Sequence, residues 1–376
     1  MKFPNPFFFS FFLLIGLLSC KNDKSKIPYE VEKNTLENIK YAKGFDIQYY
    51  EDYTKLIIKA PYQNSKETFE FILTNYKSDT YLNSIQTPIN SIVVTSTTHI
   101  PTLELLNVEN KLLGFPNTDY ISSKKTRSLI SKGLVKELGH EENMNTELLL
   151  DLNPDLVIGF SLNSNNKMFS IIEKLGIPVL LNGDWLEETP LGRAEWIKFF
   201  GVLFEKRKEA DSIFNKIEAN YLEAKSIASK STKMPTIISG GLFKDIWNLP
   251  AGESFEATFL KDANTNYLWK HSKGKGSLSL NIESVFEKGK DAEIWVSPSF
   301  YKTLEQLQKA NDIYPKFKAY KTKNIFSYVN KQGEKGGIIY FELAPSRPDL
   351  VLKDLIKIAH PTLLKDYEFS FFEKLK

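Results

Sequence analysis

Hydrophobic and polar positions follow two different patterns along the chain, and the first pattern occupies its N-terminal part. Residues 45–50, 54–60 and 68–76 read FDIQYY, TKLIIKA and TFEFILTNY, and β-branched and aromatic side chains dominate each stretch. Turn-forming residues separate these stretches, which is typical of short antiparallel strands. We therefore predict a β-hairpin or meander on the edge of the α/β lobe that follows it, within a tether and N-terminal extension over residues 21–90.

From residue 91 onward, short continuous apolar runs alternate with segments of helical periodicity. Runs such as SIVVT at 91–95 and LVIGF at 156–160 are typical of strands buried within a parallel sheet. Further strands are predicted at 177–182, 235–240, 292–297 and 323–329. Because helical segments alternate with these strands, the pattern predicts an α/β fold in which helices cover parallel sheets.

One long amphipathic stretch divides the α/β region into two parts. Apolar side chains recur there at the spacing of one helix face, at Ala210, Ile213, Phe214, Ile217, Tyr221 and Ala224. No Gly or Pro interrupts the stretch, so we predict a rod of roughly 36 Å at about 1.5 Å per residue. The predicted fold is two Rossmann-like lobes, residues 91–204 and 230–376, joined by a single connecting helix over residues 205–229.

The first twenty residues differ from the rest of the chain. Lys2 is followed by the apolar run FPNPFFFSFFLLIGLL, and the small residue Ser19 precedes Cys20. A basic start, a short apolar run and a small residue before the cleavage point indicate a secretory signal peptide over residues 1–20. The apolar run is too short to be a convincing membrane span.

The end of this signal, LLSC, resembles a bacterial lipobox. The resemblance implies that Cys20 is lipidated and becomes the first mature residue, so that the protein is anchored to a membrane in the periplasm or at the cell surface. An ordinary signal peptide with an incidental cysteine is the alternative. Since Cys20 is the only cysteine, the chain has no disulfide and no thiolate metal site.

Composition and motifs disfavour several classes of protein. A length of 376 residues predicts about two domains. The net charge is +3 with both signs mixed along the chain, and without a basic stripe nucleic-acid binding is disfavoured. The sequence contains no GxSxG, HExxH or Walker motif, which disfavours an enzyme.

One short pattern occurs in each predicted lobe, as NTELLLDLNPDLVI and as NIESVFEKGKDAEI. Asn145 and Asn281 are good N-cap residues for the helix that each pattern predicts. Glu147 and Glu283 follow two residues later, where a carboxylate favours the positive end of the helix dipole. The residues alone leave two interpretations open: each Glu only stabilises its helix, or the two occupy equivalent surface positions on related lobes.

From about residue 91 to the C-terminus, the chain resembles the class III periplasmic substrate-binding proteins of ABC importers. The resemblance is carried by the lipobox, SIVVTSTTH, LLLDLNPDLVIGF, LGIPVLLNGDW, the connecting helix, GSLSLNIESVFEKGKDAEIWV and RPDLVLKDLIKIAHP, in this order. It implies two α/β lobes, a rigid connecting helix and a ligand held in the cleft between the lobes. It also implies that an exposed Glu on each lobe docks onto Arg residues of the permease, and Glu147 and Glu283 fall on those positions.

Loops at the carboxyl ends of the parallel strands are expected to line such a cleft. A large planar ligand suits aromatic walls with a few placed polar groups. The candidate ligand-binding residues are Thr97, Thr98, His99, Tyr120, Phe160, Trp185, Phe243, Trp247, Glu342 and Arg347. Packing in the core or at the rim is the alternative for both tryptophans, and Arg347 can instead cap the last helix or pair with Glu342. His99 has no second histidine or carboxylate at ligand spacing, so no direct metal site is expected.

The sequence is therefore interpreted as a monomeric solute-binding lipoprotein of an ABC importer, without catalysis or a cofactor. By the resemblance, its expected ligand is an iron-siderophore complex or cobalamin, and its expected partner is a permease dimer contacted through Glu147 and Glu283. Haem binding, or a surface lipoprotein that works without a permease, is the alternative. The N-terminal hairpins lie outside the common pattern of the family, and their role is open.

Overall fold

The computed structural model describes residues 35–76 and 83–376 of the chain. The predicted signal peptide and Cys20 lie outside the described residues. Contacts group residues Asn34–Lys376 into one compact unit, so the bounds 91–204 and 230–376 for two lobes are kept as a proposal. Within the described ranges, every helix is too short or too polar to cross a bilayer.

The N-terminal extension forms a five-stranded sheet of its own. Its strands are β1 (Thr35–Leu36), β2 (Phe45–Tyr49), β3 (Thr54–Lys59), β4 (Thr68–Thr74) and β5 (Ser84–Gln86). The first four are antiparallel neighbours, as the alternating pattern predicts, and β5 pairs with β4 in parallel. The sheet is separate from the parallel sheet of the first lobe, and Phe45, Ile47, Leu56 and Ile58 face the first-lobe core. It therefore adds a layer to that lobe.

The first lobe is built on a five-stranded parallel sheet. Its strands are β6 (Ile92–Val94), β7 (Leu112–Phe115), β8 (Lys136–Glu137), β9 (Leu156–Gly159) and β10 (Val179–Leu181), in the order β10-β9-β6-β7-β8. Its helices are α1 (His99–Leu105), α2 (Lys124–Ser131), α3 (Thr146–Leu152), α4 (Lys167–Lys174), α5 (Pro190–Glu195) and α6 (Ile197–Leu203). All neighbouring strands run parallel, which confirms the predicted α/β arrangement.

Helix α7 (Arg207–Ser229) is the predicted connecting helix. It begins two residues later than predicted, because Glu205 adopts a left-handed conformation with φ of 54°. The buried face of α7 packs in two hydrophobic cores. Ala210, Phe214 and Ile217 pack in the core of the first lobe. The residues that follow on the same face, Tyr221, Ala224 and Ala228, pack in the core of the second lobe.

The second lobe contains a mixed sheet and a small antiparallel sheet. Its strands are β11 (Thr236–Ser239), β12 (Gly241–Phe243), β13 (Ile246–Pro250), β14 (Asn266–Tyr267), β15 (Ser277–Leu280), β16 (Ile294–Val296), β17 (Ile325–Ser327) and β18 (Glu373–Lys374). Its helices are α8 (Phe255–Asp262), α9 (Ile282–Gly289), α10 (Leu304–Ala310), α11 (Lys318–Lys321), α12 (Ile339–Leu343) and α13 (Pro348–Ala359). The main sheet has the order β14-β11-β16-β17-β18, and β12-β13-β15 form the small sheet, which the sequence did not predict.

A buried carboxylate fixes the segment that leads into β2 onto the first lobe. Glu195, at the end of α5, is fully buried. Its oxygens accept the backbone N–H groups of Lys40, Tyr41 and Ala42 at 2.7–2.9 Å. Lys198 lies 3.2 Å from the same carboxylate, and this cation offsets part of the cost of burying the charge. The N-terminal sheet is thus attached to α5 through its main chain.

Candidate functional site: a cleft between the lobes

A cleft of about 890 Å³ opens between the two lobes. Thr98 and several residues of segment 185–193 form its wall on the first lobe. On the second lobe, Ser239 and Ser297 line it where β11 and β16 end. The cleft therefore lies at the carboxyl ends of the parallel strands, where ligands of α/β proteins bind.

Aromatic side chains dominate the cleft wall on the second lobe. The rings of Tyr328 and Tyr340 stack at 4.3 Å and 8°. Phe341 packs edge-on against both of them, at 5.4 Å and 6.0 Å. Phe243 and Phe300 also line the cleft and are more than half exposed, at 64% and 61%. Exposed rings on a concave wall can be covered by a planar or apolar ligand.

One arginine is the main cation on the first-lobe wall. The guanidinium of Arg193 lies 3.5 Å from the centroid of the Phe255 ring, and Nη2 donates to the Trp185 carbonyl at 2.8 Å. Burial lowers the pKa of Arg193, and the nearby carboxylates of Asp184 and Glu256 oppose this shift. Arginine remains charged through such a shift, so Arg193 is a fixed cation that can meet an acidic group of a ligand, on a wall that also carries Glu187 and Glu188.

A small polar network supports this wall. The Asp184 carboxylate accepts the hydroxyl of Thr98 at 3.3 Å, and Asn182 Oδ1 accepts the Asp184 N–H at 2.8 Å. Burial raises the pKa of Asp184 to about 6, although the charge of Arg193 lowers it. Trp185 lines the cleft, and its buried indole N–H has no acceptor within the described ranges.

Three of the candidate ligand-binding residues, Thr98, Trp185 and Phe243, line the cleft. Thr97 and Phe160 follow β6 and β9 but do not belong to its lining. Their part in ligand binding stays a prediction.

Trp247 lies in the core of the second lobe and does not line the cleft, as its core-packing alternative allowed. It is fully buried on β13, its ring stacks on Trp295 at 5.2 Å, and its indole N–H donates to the Ser239 carbonyl at 3.0 Å. Periodicity did not reveal the burial of Trp247, because the hairpin that contains it follows a Gly-Gly pair that is typical of a loop.

His99, Tyr120 and Arg347 also lie away from the cleft lining. His99 is buried beside the ring of Phe200, and burial lowers its pKa to about 3, so it is neutral at physiological pH. Tyr120 is 65% exposed outside the lining. The guanidinium of Arg347 makes two hydrogen bonds of 2.9 Å to Asp349, in the first turn of α13, and so serves that helix.

Glu342 joins the two lobes. Its carboxylate accepts the backbone N–H groups of Ser122 at 2.6 Å and Ser123 at 2.9 Å, so α12 of the second lobe meets the N-terminus of α2 in the first. Burial raises the pKa of Glu342 to about 7, despite these two donors. Helix α12 also separates two cavities. Tyr340 lines the cleft, whereas Glu342 lines a second cavity of about 710 Å³.

Sequence reasoning missed the residues that give the cleft its charge and much of its aromatic surface. Arg193 lies in helix α5 and does not follow the end of a strand, but it is one of only four arginines in a lysine-rich chain. That scarcity is the signal that could have identified it. Tyr328 and Tyr340 lie more than ten residues apart, and only the tertiary fold stacks them.

The paired glutamates of the repeated pattern are both exposed. Asn145 caps α3 by accepting the Leu148 N–H at 3.0 Å, and Asn281 caps α9 by accepting the Ser284 N–H at 2.8 Å. Glu147 and Glu283 occupy the first turns of these two helices. Each lobe thus presents one carboxylate in the same local setting.

Comparison with known sequences identifies relatives of the chain. A protein-family model described as a periplasmic binding protein matches residues 92–331. An uncharacterised lipoprotein of Methanocaldococcus jannaschii is 26% identical over 384 aligned residues, which cover 94% of this chain and 90% of that protein.

Solved structures share the fold at low sequence identity. A possible iron-binding, periplasmic solute-binding protein of Staphylococcus epidermidis has a TM-score of 0.59 at 18% identity and covers 73% of this chain and 100% of its own. A periplasmic haem-binding protein of Vibrio cholerae has a TM-score of 0.54 at 16% identity, with coverage of 70% and 99%. These likenesses establish the two-lobed α/β fold.

The buried carboxyl of Glu342 leads to a prediction about pH. Its pKa is about 7 in the folded protein, against 4.5 for an ordinary glutamate. Between these values the folded chain keeps a proton that the unfolded chain releases, so the free energy of unfolding falls as pH rises from about 5 to about 7. The contribution of Glu342 is at most roughly 3 kcal/mol, since one pKa unit corresponds to about 1.4 kcal/mol. Urea unfolding at several pH values should show a shallower dependence in Glu342→Gln than in the wild type.

Glu334→Gln is the matched control, because Glu334 is exposed and lines the same second cavity. This variant should keep the wild-type dependence. Asp184 and Glu141 have pKa values raised to about 6 and about 7, so part of the slope remains in Glu342→Gln. Superimposable pH profiles for Glu342→Gln and the wild type would contradict the assignment.

Proposed function

The chain belongs to the periplasmic binding protein family, and on that premise we propose that it is the solute-binding lipoprotein of an ABC importer. It captures an iron-siderophore complex or cobalamin in the cleft and delivers it to the permease. The observation that carries this proposal is the cleft itself, with its stacked tyrosines, exposed phenylalanines and half-buried arginine. This lining suits a large ligand that has a planar or apolar body and acidic or amide groups at its edge.

The two stacked tyrosines present ring faces that suit the apolar or planar body of a ligand. Desolvation raises the pKa of Tyr328 to about 12, and it raises the pKa of Tyr340 well above its usual value. Haem, the ligand named for the Vibrio cholerae protein, remains the second candidate because the same surfaces suit a porphyrin.

Two variants of the cleft test ligand capture. Trp185→Ala and Phe341→Ala should weaken binding by roughly tenfold each, because an aromatic contact contributes about 0.5–1.5 kcal/mol beyond its buried area. The bound solute is first recovered by mass spectrometry. Tryptophan fluorescence quenching is then measured with ferric catecholate and hydroxamate chelates, cyanocobalamin and haemin.

Tyr120→Ala is the aromatic control, because Tyr120 is exposed outside the cleft lining. We expect its affinity for the same probe to equal that of the wild type. A loss of affinity in Tyr120→Ala but not in Trp185→Ala or Phe341→Ala would move the binding site away from this cleft.

The exposed carboxylates Glu147 and Glu283 are proposed to dock onto the permease. A rigid protein with one carboxylate on each lobe can contact a two-fold permease at two equivalent points. An exposed ion pair is worth about 0–1 kcal/mol, but a pair desolvated at an interface can be worth several. Each Ala variant should reduce ligand uptake by cells with ligand affinity unchanged, and the double variant should nearly abolish uptake. Substitution by Lys should be more harmful than Ala, because like charges would then meet.

The control for docking is the pair Asp151→Ala and Glu287→Ala, which removes exposed carboxylates from the same two helices. These variants should support normal uptake. If the glutamates only stabilise their helices, Glu147→Ala and Glu283→Ala will each lose a few tenths to about 1 kcal/mol of stability and keep normal uptake. Normal uptake by the double variant would exclude the docking role.

Cys20 is proposed to carry the lipid anchor, in keeping with the lipobox and with the lipoprotein relative. Cys20→Ala should remove incorporation of a labelled fatty acid and yield a soluble or uncleaved protein in cell fractionation. Ser19→Ala is a suitable control, since a small residue is retained before the cysteine. Undiminished labelling of Cys20→Ala would refute the anchor.

A further inference from the structure

The N-terminal sheet precedes the region that matches the family, and it nevertheless reaches the cleft. The loop between β3 and β4 places Gln63 among the lining residues, together with Trp185 and Leu186. We propose that the N-terminal sheet is a third wall of the ligand cleft, which positions segment 185–188 and contacts the ligand through Gln63. This inference rests on the proposed function, since it assigns the sheet a part in the same binding site.

A carboxylate of the cleft wall binds the main chain of the N-terminal extension. Glu187 lines the cleft and is 5% exposed. It accepts the backbone N–H of Gly44 at 2.8 Å and that of Lys43 at 2.9 Å. It also accepts the indole N–H of Trp196 at 3.0 Å. Two of its three donors therefore come from the extension, and without them a buried carboxylate would lose most of its hydrogen bonds, which is costly.

The loop that carries Gln63 packs against the turn before Trp185. Pro61 and Tyr62 are buried, so this part of the loop is fixed in place. A Cβ atom placed on Gly183 would lie 3.5 Å from the Cα of Pro61, so the two backbones approach each other closely there. Segment 185–188 thus lies between α5 and the N-terminal sheet, and its position depends on both.

A row of alternating charges links all three parts of the protein at the cleft. Glu188, a lining residue, forms an ion pair of 3.2 Å with Lys43 of the extension. The same carboxylate also pairs with Lys275 of the second lobe, another lining residue. The hydrogen bond from Lys275, followed by the one from Lys43, lowers the pKa of Glu188. Exposed pairs of this kind are worth about 0–1 kcal/mol each, so they supplement the hydrogen bonds of Glu187 and do not by themselves fix the three parts.

The chemistry of this wall indicates which part of a ligand it meets. The Gln63 amide offers one acceptor oxygen and two N–H donors. The neighbouring wall is polar through Glu188 and Lys275, whereas the wall near Tyr340 is aromatic. Gln63 is therefore suited to the polar edge of the ligand, such as its amide, hydroxyl or carboxylate groups. In this arrangement the sheet contributes to ligand selectivity.

The ligand contact is tested with Gln63→Ala and the control Lys66→Ala in the full chain. Lys66 is exposed in the same loop and does not line the cleft. The probes are a ferric catecholate chelate, a ferric hydroxamate chelate, cyanocobalamin and haemin, measured by fluorescence quenching. For the probe that binds the wild type, Gln63→Ala should raise the Kd threefold to tenfold without changing the melting temperature. Lys66→Ala should leave the Kd unchanged. Equal Kd values for Gln63→Ala and the wild type would overturn the Gln63 contact.

The positioning role is tested without any ligand, by hydrogen exchange in the full chain. Glu187→Gln places an amide N–H among groups that are already donors, so exchange should quicken at Lys43 and Gly44 and also in segment 185–188. Glu142→Gln, an exposed change in the same lobe, should alter neither segment. Unchanged exchange in segment 185–188 of Glu187→Gln would overturn the third wall. If no probe binds the wild type, the proposed ligand classes fail, while hydrogen exchange still decides this inference.

Discussion

A single helix packs into two hydrophobic cores, and the rest of the architecture depends on that packing. The first half of the buried stripe of α7 lies in the core of the first lobe, and the second half lies in the core of the second lobe. Bending this helix would break its own hydrogen bonds and disturb both cores together. The lobes are therefore held at a set separation, and the space between them becomes a cleft of defined size. The arrangement favours small adjustments over a wide hinge closure.

Buried carboxylates connect segments that the cores alone do not hold. Glu195 and Glu187 bind the main chain ahead of β2, and Glu342 binds the N-terminus of α2 from the opposite lobe. Asp354 of α13 likewise accepts the N–H groups of Phe371 and Phe372 near the C-terminus. In each case a carboxylate accepts hydrogen bonds from backbone N–H groups of a segment with little regular structure. Without the carboxylate, these N–H groups would be buried without acceptors. These contacts bring the N-terminal sheet, both lobes and the C-terminal segment into one unit.

The parallel sheets, α5 and α12 together form the walls of the cleft. The parallel sheets bring the loops at their carboxyl ends to its edges, and α5 adds the cation of Arg193. Helix α12 supplies Tyr340 and Phe341 on one side, and on its other side Glu342 fastens it to the first lobe. The aromatic wall is thus held by two interlobe hydrogen bonds, so that the shape of the binding surface and the contact between the lobes are physically linked.

The sequence by itself determined the features that depend on neighbouring residues. Helical spacing identified α7, and Asn145 and Asn281 marked the beginnings of two helices. Apolar runs and alternation identified the strands β2, β3, β4, β6, β9, β10, β11, β16 and β17. The order of these motifs was enough to indicate the family. The same local reasoning correctly placed Thr98 and Trp185 in the cleft, because both follow the ends of strands.

Only the tertiary structure decided which side chains face the cleft and which are buried in a core. Trp185 and Trp247 both follow breaks in periodicity, yet one lines the cleft and the other stacks on Trp295. Arg193 and Glu342 lie on helices, and their roles arise from Phe255 and Ser122, which are distant in sequence. The apolar period of a helix or strand indicates which face of the element is shielded from solvent. It does not indicate whether that face packs in a core, against the other lobe or against a ligand, because that depends on contacts between distant parts of the chain.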